Sequence, residues 1–322
     1  MDVQGHSGFK MTPMRILLTL AAASLGTILS AQSAAPPAVI GRWDLTVHRA
    51  DGGERGAWLE VHRSGVQTLV GQFVGTSGSA RPISKVEFKD GNFRFAIPPQ
   101  WERVEGDLVV AGTLAGDTLT GTMTLGSGTP QKFTGVRAPT LRRAARPQWG
   151  AATPLFNGRD LAGWKPLGGT NEWEAAGGVL RNRKSGANLV TEQTFDDFKL
   201  HLEVRYPAGG NSGVYLRGRY EIQIADSTDP EPDYGSLGAV YGFLAPSVMA
   251  AKKAGEWQVF DIELVGRHVT IALNGQSIIT DREIPGITGA AIDSHEGKPG
   301  PLLLQGDHGP IEYRNLTIAR SR

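Results

Sequence analysis

Apolar and polar positions alternate with a period of two over much of the chain. Trp43, Leu45 and Val47 alternate with Asp44 and Thr46. Val86 and Phe88 lead into Asp90-Gly91, and Phe93 and Phe95 follow it. Asp-Gly between two such runs predicts a tight hairpin, because both residues tolerate φ > 0. Leu200, Leu202, Val204 and Tyr206 repeat the alternation further on, as do Phe260, Ile262 and Leu264. Val269, Ile271 and Leu273 then meet Asn274-Gly275, which suits a type I′ turn, with Ile278 and Thr280 on the return strand. Gly106-Asp107 and Ala115-Gly116-Asp117 mark further turns. The pattern predicts half-buried antiparallel strands almost throughout. A single short helix is expected over residues 247–254.

The strands fall into two blocks. Residues 38–137 read as a small antiparallel β-barrel or meander with no cluster of catalytic residue types. Gly41-Arg42-Trp43 faintly resembles the start of lipocalin-like barrels. Residues 138–152 carry Pro139, Arg142, Arg143, Arg146 and Pro147 without periodicity. A basic patch and a solvated linker both fit, and the missing periodicity favours the linker. Residues 153–322 hold long alternating strands and almost no helix. That points to an all-β, two-sheet jelly-roll sandwich.

Ahead of both blocks, Lys10 and Arg15 precede an apolar run over residues 16–29. Small residues follow to Ala35. A basic start, a short apolar middle and small residues are the layout of a secretory signal peptide. Met11 or Met14 gives the leader a more ordinary start. Cleavage is expected near Ala31 or Ala35, with export to the periplasm or beyond. The run is short for a membrane span, so no membrane association is expected after cleavage.

Composition narrows the chemistry. The 322 residues include 33 Lys plus Arg and 32 Asp plus Glu. A net charge of +1 gives no electrostatic footprint for nucleic acid. The chain has no cysteine, which excludes disulfides, thiol nucleophiles and thiolate metal sites. Its 43 glycines and 19 prolines suit frequent turns.

Ordered motifs in the second block carry a resemblance. Leu155-Phe156-Asn157-Gly158-Arg159-Asp160-Leu161-Ala162-Gly163-Trp164 opens it, and Trp173 with Gly177-Gly178-Val179-Leu180 follows. Asn211-Ser212-Gly213-Val214-Tyr215-Leu216-Arg217 is the most recognisable stretch. Tyr220-Glu221-Ile222-Gln223-Ile224-Ala225-Asp226, Gly238-Ala239-Val240-Tyr241, Gly255-Glu256-Trp257 and Leu304-Gln305-Gly306-Asp307-His308-Gly309 come next. Arg314-Asn315-Leu316 closes the series. Over residues 156–318 the chain resembles the 3-keto-disaccharide hydrolase family. The resemblance implies a concanavalin-like β-sandwich acting on glycosides oxidised at C3. The chain departs from the family in its N-terminal β block and in a short connection between Arg217 and Tyr220.

A ketone at C3 acidifies the proton on C2, so such a site needs a base, a donor for the enolate oxygen and an acid for the leaving group. Glu221 and Asp226 are candidate bases and His308 a candidate proton shuttle. Arg217 or Arg314 suits the enolate oxygen. Asn211, Gln223 and Gln305 suit sugar hydroxyls, and Tyr241 and Trp257 suit a pyranose face. If the loop after Arg217 is a bulged three-residue one, Arg217 pairs with Glu221 on one face; this is the arrangement expected. Competing readings make Arg217–Glu221 a cross-strand ion pair, His308 a turn cap and Arg314 a structural anchor. Asp307 reads as a turn residue, and Trp164, Trp173 and Phe198 as core. Asp293, His295 and Glu296 have metal-ligating types, but a solvated loop fits better. Asp226, Asp229, Glu231 and Asp233 match no calcium spacing. No cofactor is required, and a divalent metal is left unassigned. A carbohydrate substrate is the expected partner, and the oligomeric state is not legible. A non-catalytic carbohydrate-binding module and a surface scaffold are the alternative functions.

Overall fold

The computed structural model describes residues 38–322. The leader expected over residues 1–35 lies outside the described residues. Among the described residues no helix is long and apolar enough to cross a membrane.

The first block forms β1 (Gly41–His48), β2 (Glu54–Ser64), β3 (Thr68–Val74), β4 (Arg81–Ile83), β5 (Glu87–Lys89), β6 (Asn92–Ile97), β7 (Leu108–Ala115), β8 (Thr118–Leu125) and β9 (Gln131–Arg137). These make one nine-stranded antiparallel sheet in the order β4-β3-β2-β1-β9-β8-β7-β6-β5. The alternation buries Trp43, Leu45, Val47, Phe93 and Phe95 in one core. The sheet curls until Phe73 on β3 meets Phe95 on β6, with ring centroids 5.5 Å apart. Asp90 and Gly91 have φ of 51° and 76°, the tight turn their sequence predicts.

The second block adds β10 (Thr153–Pro154), β11 (Trp164–Leu167), β12 (Trp173–Ala176), β13 (Val179–Asn182), β14 (Asn188–Thr191), β15 (Phe198–Arg205), β16 (Asn211–Leu216) and β17 (Tyr220–Ala225). It continues with β18 (Gln258–Val265), β19 (His268–Leu273), β20 (Gln276–Glu283), β21 (Leu303–Leu304) and β22 (Ile311–Arg320). One sheet runs β12-β13-β22-β15-β18-β19-β20, with β10 on β22, and the other β11-β14-β21-β16-β17. The all-β sandwich is therefore present. Trp164, Trp173 and Phe198 lie in the core between the sheets, together with Val214, Ile222 and Leu304. Tyr215 and Leu303, one residue out of phase, pack on the other face of the smaller sheet. That second face carries the site.

The two blocks pack directly on each other. Trp58 of β2 belongs to the sandwich core and meets Phe243 edge-on at 5.3 Å. Thr46 and Ser294 hydroxyls are 2.6 Å apart, and Arg42 donates to Glu283 at 2.6 Å. The intervening stretch is not a free, solvated linker. Leu141 is buried, and Arg143 donates to Asp197 at 2.7 Å and to Asp196 at 2.7 Å. The helix expected over residues 247–254 is absent. Its small apolar run is held as coil instead: Ser247 N–H donates to Ile278, and the Ala250 carbonyl accepts from the Asn274 side chain. Tertiary hydrogen bonds override the local preference there.

Asp44 of β1 is buried at this junction. Burial, and then the nearby Glu296 carboxylate, push its carboxyl up to about 9, against the opposing pull of Arg267 and Arg219. Folded Asp44 therefore keeps its proton from its ordinary value of 3.8 to about 9, while the unfolded chain releases it. Native protein binds the extra proton over that window, so this group's contribution to stability falls as pH rises through it. Asp44→Asn is expected to raise the melting temperature at pH 8 and to match the native protein near pH 4. Thermal unfolding across that pH range checks this, and equal melting temperatures at pH 8 would contradict it.

Candidate functional site

The β16–β17 hairpin sets the geometry. Leu216 pairs with Tyr220 and Tyr215 pairs with Glu221, leaving Arg217-Gly218-Arg219 as the loop. Arg217 and Gly218 have φ of 53° and 68°. The expected cross-strand pairing of Arg217 with Glu221 is thus not made. Successive residues point to opposite faces, so Tyr220 enters the core while Glu221 faces outward. Arg217 follows Tyr220. It is 0% exposed and donates to the Tyr220 hydroxyl at 3.0 Å and the Gly266 carbonyl at 2.7 Å. It is a core anchor on the wrong side of the sheet for Glu221.

Three further candidates also lie elsewhere. The Asp226 carboxylate accepts the Gly209 N–H at 2.8 Å and holds the turn before β16. The Trp257 ring is in contact with two guanidiniums, Arg205 at 4.7 Å and Arg314 at 4.1 Å from its centroid. Arg314 itself donates to Glu203 at 2.7 Å. This is an arginine–indole cluster on the larger sheet. Neither Trp257 nor Arg314 reaches the Glu221 side chain.

The other six candidates converge. Glu221, His308, Asn211, Gln223, Tyr241 and Gln305 line one cavity of about 380 Å³. Tyr215 and Asp307 join them, as do Ser77, Gly78 and Trp101 from the first block. Alternation places Asn211 and Tyr215 on the same face of β16, and Glu221 and Gln223 on the same face of β17. Gln305 follows β21, where its N–H donates to Gly213 at 2.9 Å. The Gln223 amide is 3.5 Å from Asn211, and among the described residues the Gln305 side chain makes no hydrogen bond to protein. These amides are free to meet a hydroxylated ligand.

Glu221 is 5% exposed. Its carboxyl occupies space that Gly213 leaves open: a Cβ on Gly213 would lie 2.5 Å from a Glu221 oxygen. Burial pushes the Glu221 carboxyl up to about 7, with the Tyr215 hydroxyl and His308 pulling the other way and Asp307 adding to the rise. His308 Nδ1 lies 2.7 Å from an Asp307 oxygen. That hydrogen bond holds the imidazole above its usual value of 6.5, and the Glu221 charge adds to it. The same bond holds Asp307 low. Asp307 therefore orients His308 and favours its protonated form, a role that its turn-rich neighbours conceal in the sequence. Burial, then Glu221, raises the Tyr241 hydroxyl, so a neutral donor also faces the carboxylate.

The metal-ligating types of residues 293–296 are engaged otherwise. Asp293 takes a forked pair of bonds from Arg219 at 2.6 and 3.1 Å. Glu296 is fully buried and accepts from Tyr220 at 2.7 Å and from Arg267 at 3.1 Å. Asp293 and Glu296 form an ionic clamp, while His295 between them faces solvent. Among the described residues no three His, Asp or Glu side chains group as a metal site.

A β-sandwich with an amide-lined cavity around a buried acid and an aspartate-bound imidazole has the make-up of a carbohydrate-active protein. The family model for the 3-keto-alpha-glucoside-1,2-lyase-like domain matches residues 151–319, and the chain belongs to that family. Two proteins from Parabacteroides distasonis assigned as glycosyl hydrolases are similar in structure. One shares 32% identity at a TM-score of 0.46, over 53% of this chain and 84% of its own. The other shares 21% at 0.45, over 52% and 92%. A carbohydrate-binding module from Bacillus subtilis shares 16% at 0.35, over 49% and 96%. No curated protein matches the chain.

Asp307→Asn is expected to lower the midpoint at which His308 titrates, because the anionic hydrogen-bond partner is lost. Imidazole NMR titration of both proteins checks this. An unchanged midpoint would mean that Asp307 does not set the charge of His308.

Proposed function

We propose that the chain cleaves 3-keto-glycosides by elimination followed by hydration. The observation that carries this reading is the Glu221 carboxyl buried in one cavity with His308, its proton affinity raised by that burial to about 7, while the Asp307 hydrogen bond raises that of His308. A general base is most effective when its proton affinity lies near the working pH. An ordinary exposed carboxylate is too weak a base for a carbon acid.

In the first step Glu221 takes the C2 proton, and the C2–H electrons move into the enolate of the C3 ketone. The cationic His308 and the neutral donors of Tyr241 and the cavity amides suit the developing oxygen charge. Arg217 and Arg314 are not available for it. The enolate then reforms the ketone, the C1–O bond breaks and the leaving oxygen takes a proton from His308. A C1=C2 unsaturated 3-keto sugar remains. Water then adds across it: its hydroxyl bonds to C1 while its proton restores His308, and Glu221, its carboxyl proton exchanged with solvent in the interval, protonates C2. The sum is hydrolysis, with no external oxidant or reductant. A paired-carboxylate glycosidase would need two free acids, but Asp307, the other carboxylate of the cavity, is bound to His308.

Incubation with a 3-keto-disaccharide such as 3-keto-trehalose is expected to release 3-keto-glucose. Glu221→Gln should lower kcat by ~10²–10⁴-fold while the protein stays folded. Sugar binding without turnover in the native protein would instead make it a carbohydrate-binding module. The pH profile of kcat/KM should rise through about 7 as Glu221 ionises. It should fall on the alkaline side as His308 loses its proton. Gly213→Ala should lower kcat as well, by about 10²-fold for a displacement of the carboxyl on the order of 1 Å. Native-like turnover in Gly213→Ala would contradict the tight placement of Glu221.

A further inference from the structure

Trp101 stands out among the cavity residues. It comes from the first block, which the matched family region does not include. It is 55% exposed, an unusual condition for an indole beside a cavity. Its backbone, by contrast, is held firmly. The Glu102 carboxylate accepts the N–H groups of Gln100 at 2.8 Å and Trp101 at 3.1 Å, and it pairs with Arg81 at 2.6 Å. Both members of that ion pair are nearly buried. The ring packs over Gly78, where a Cβ would lie 2.9 Å from the indole nitrogen. Gly78 in turn is pressed on Gly289 of the sandwich: a Cβ on Gly289 would fall 2.1 Å from the Gly78 carbonyl oxygen. A rigid, solvent-facing aromatic plate is thus fixed against the wall that carries the acid–base residues.

The plate lines the same cavity of about 380 Å³ as Glu221 and His308. A second cavity of about 340 Å³ adjoins it, sharing Asp307 and Ala290. Pyranose rings present an apolar face of C–H bonds, and a flat indole that keeps its polar edge accessible complements it.

We infer that Trp101 is a stacking platform for the second ring of the substrate, so that the N-terminal β domain supplies a leaving-group subsite. This rests on the cavity being a glycoside site. It adds that the preferred substrate is a disaccharide or larger glycoside rather than one with a small aglycone.

The test compares native protein, Trp101→Ala and Trp101→Phe on a 3-keto-disaccharide and on methyl 3-keto-glucoside. Trp101→Ala should raise KM for the disaccharide roughly tenfold, in the range of one aromatic contact. It should lower kcat/KM for the methyl glycoside by a much smaller factor, and Trp101→Phe should restore most of the loss on the disaccharide. Melting temperatures should agree among the three, since the ring is exposed. Calorimetric binding of the 3-keto-disaccharide to Glu221→Gln, with and without Trp101→Ala, reads the same subsite without turnover. A tenfold weaker dissociation constant there supports the platform even if the native protein proves non-catalytic. Equal binding in that pair, or an equal loss on both substrates in the kinetic comparison, overturns it.

Discussion

The buried carboxylate of Glu221 is the constraint on which the rest of the site depends. A carboxyl withdrawn from water must be protonated or find partners. Here it finds a tyrosine hydroxyl and a nearby imidazole, and its proton affinity settles close to neutrality. Each neighbouring feature follows from that burial. Gly213 gives up a side chain to admit it. Tyr215 sits directly across the hairpin from it. Asp307 holds the His308 imidazole in place by a hydrogen bond. The first block completes the enclosure by bringing Ser77, Gly78 and Trp101 over a sheet face that would otherwise be open.

A second layer of charge holds that enclosure in place. Arg217, Arg219 and Arg267 are buried together behind the hairpin, and their partners are Asp196, Asp293 and Glu296. Ionic groups of this kind cost desolvation and rarely add net stability over apolar packing. Their directionality is the more useful property. Arg219 fixes Asp293 and the Lys298 carbonyl, and its own carbonyl accepts from Thr288. The chain between residues 286 and 300 is thereby tied to the loop that follows β16. Ala290 in that stretch lines both cavities, and Gly289 lines the one around Glu221. The arginines shape the site without touching what it would bind.

What the sequence revealed tracks the range of the interactions involved. Asp90-Gly91 and Asn274-Gly275 are legible because a tight turn is decided by two residues. The sandwich is legible because alternation reports burial on one face. The hairpin register was not, since Arg217 adopts a left-handed conformation that neither simple pairing scheme includes. Trp257 and Arg314 sit in matching motifs, but a motif does not say which sheet face a side chain serves. Asp307 was hidden by the glycines around it. Trp101 carries no local signal at all, because its position beside Glu221 is set by packing between blocks more than a hundred residues apart. The acidic segment around Glu296 reads as solvated only until its buried arginine partners are in place.

Removal of the C2 proton, not direct displacement at C1, is the step we propose for cleavage. Turnover of a 3-keto-disaccharide in deuterium oxide tests it most directly. Elimination and hydration predict 3-keto-glucose carrying deuterium at C2, with exchange at that carbon slower when Glu221 is replaced by Gln. A released sugar that keeps its original C2 hydrogen would contradict the account and assign the cavity to ordinary glycoside hydrolysis.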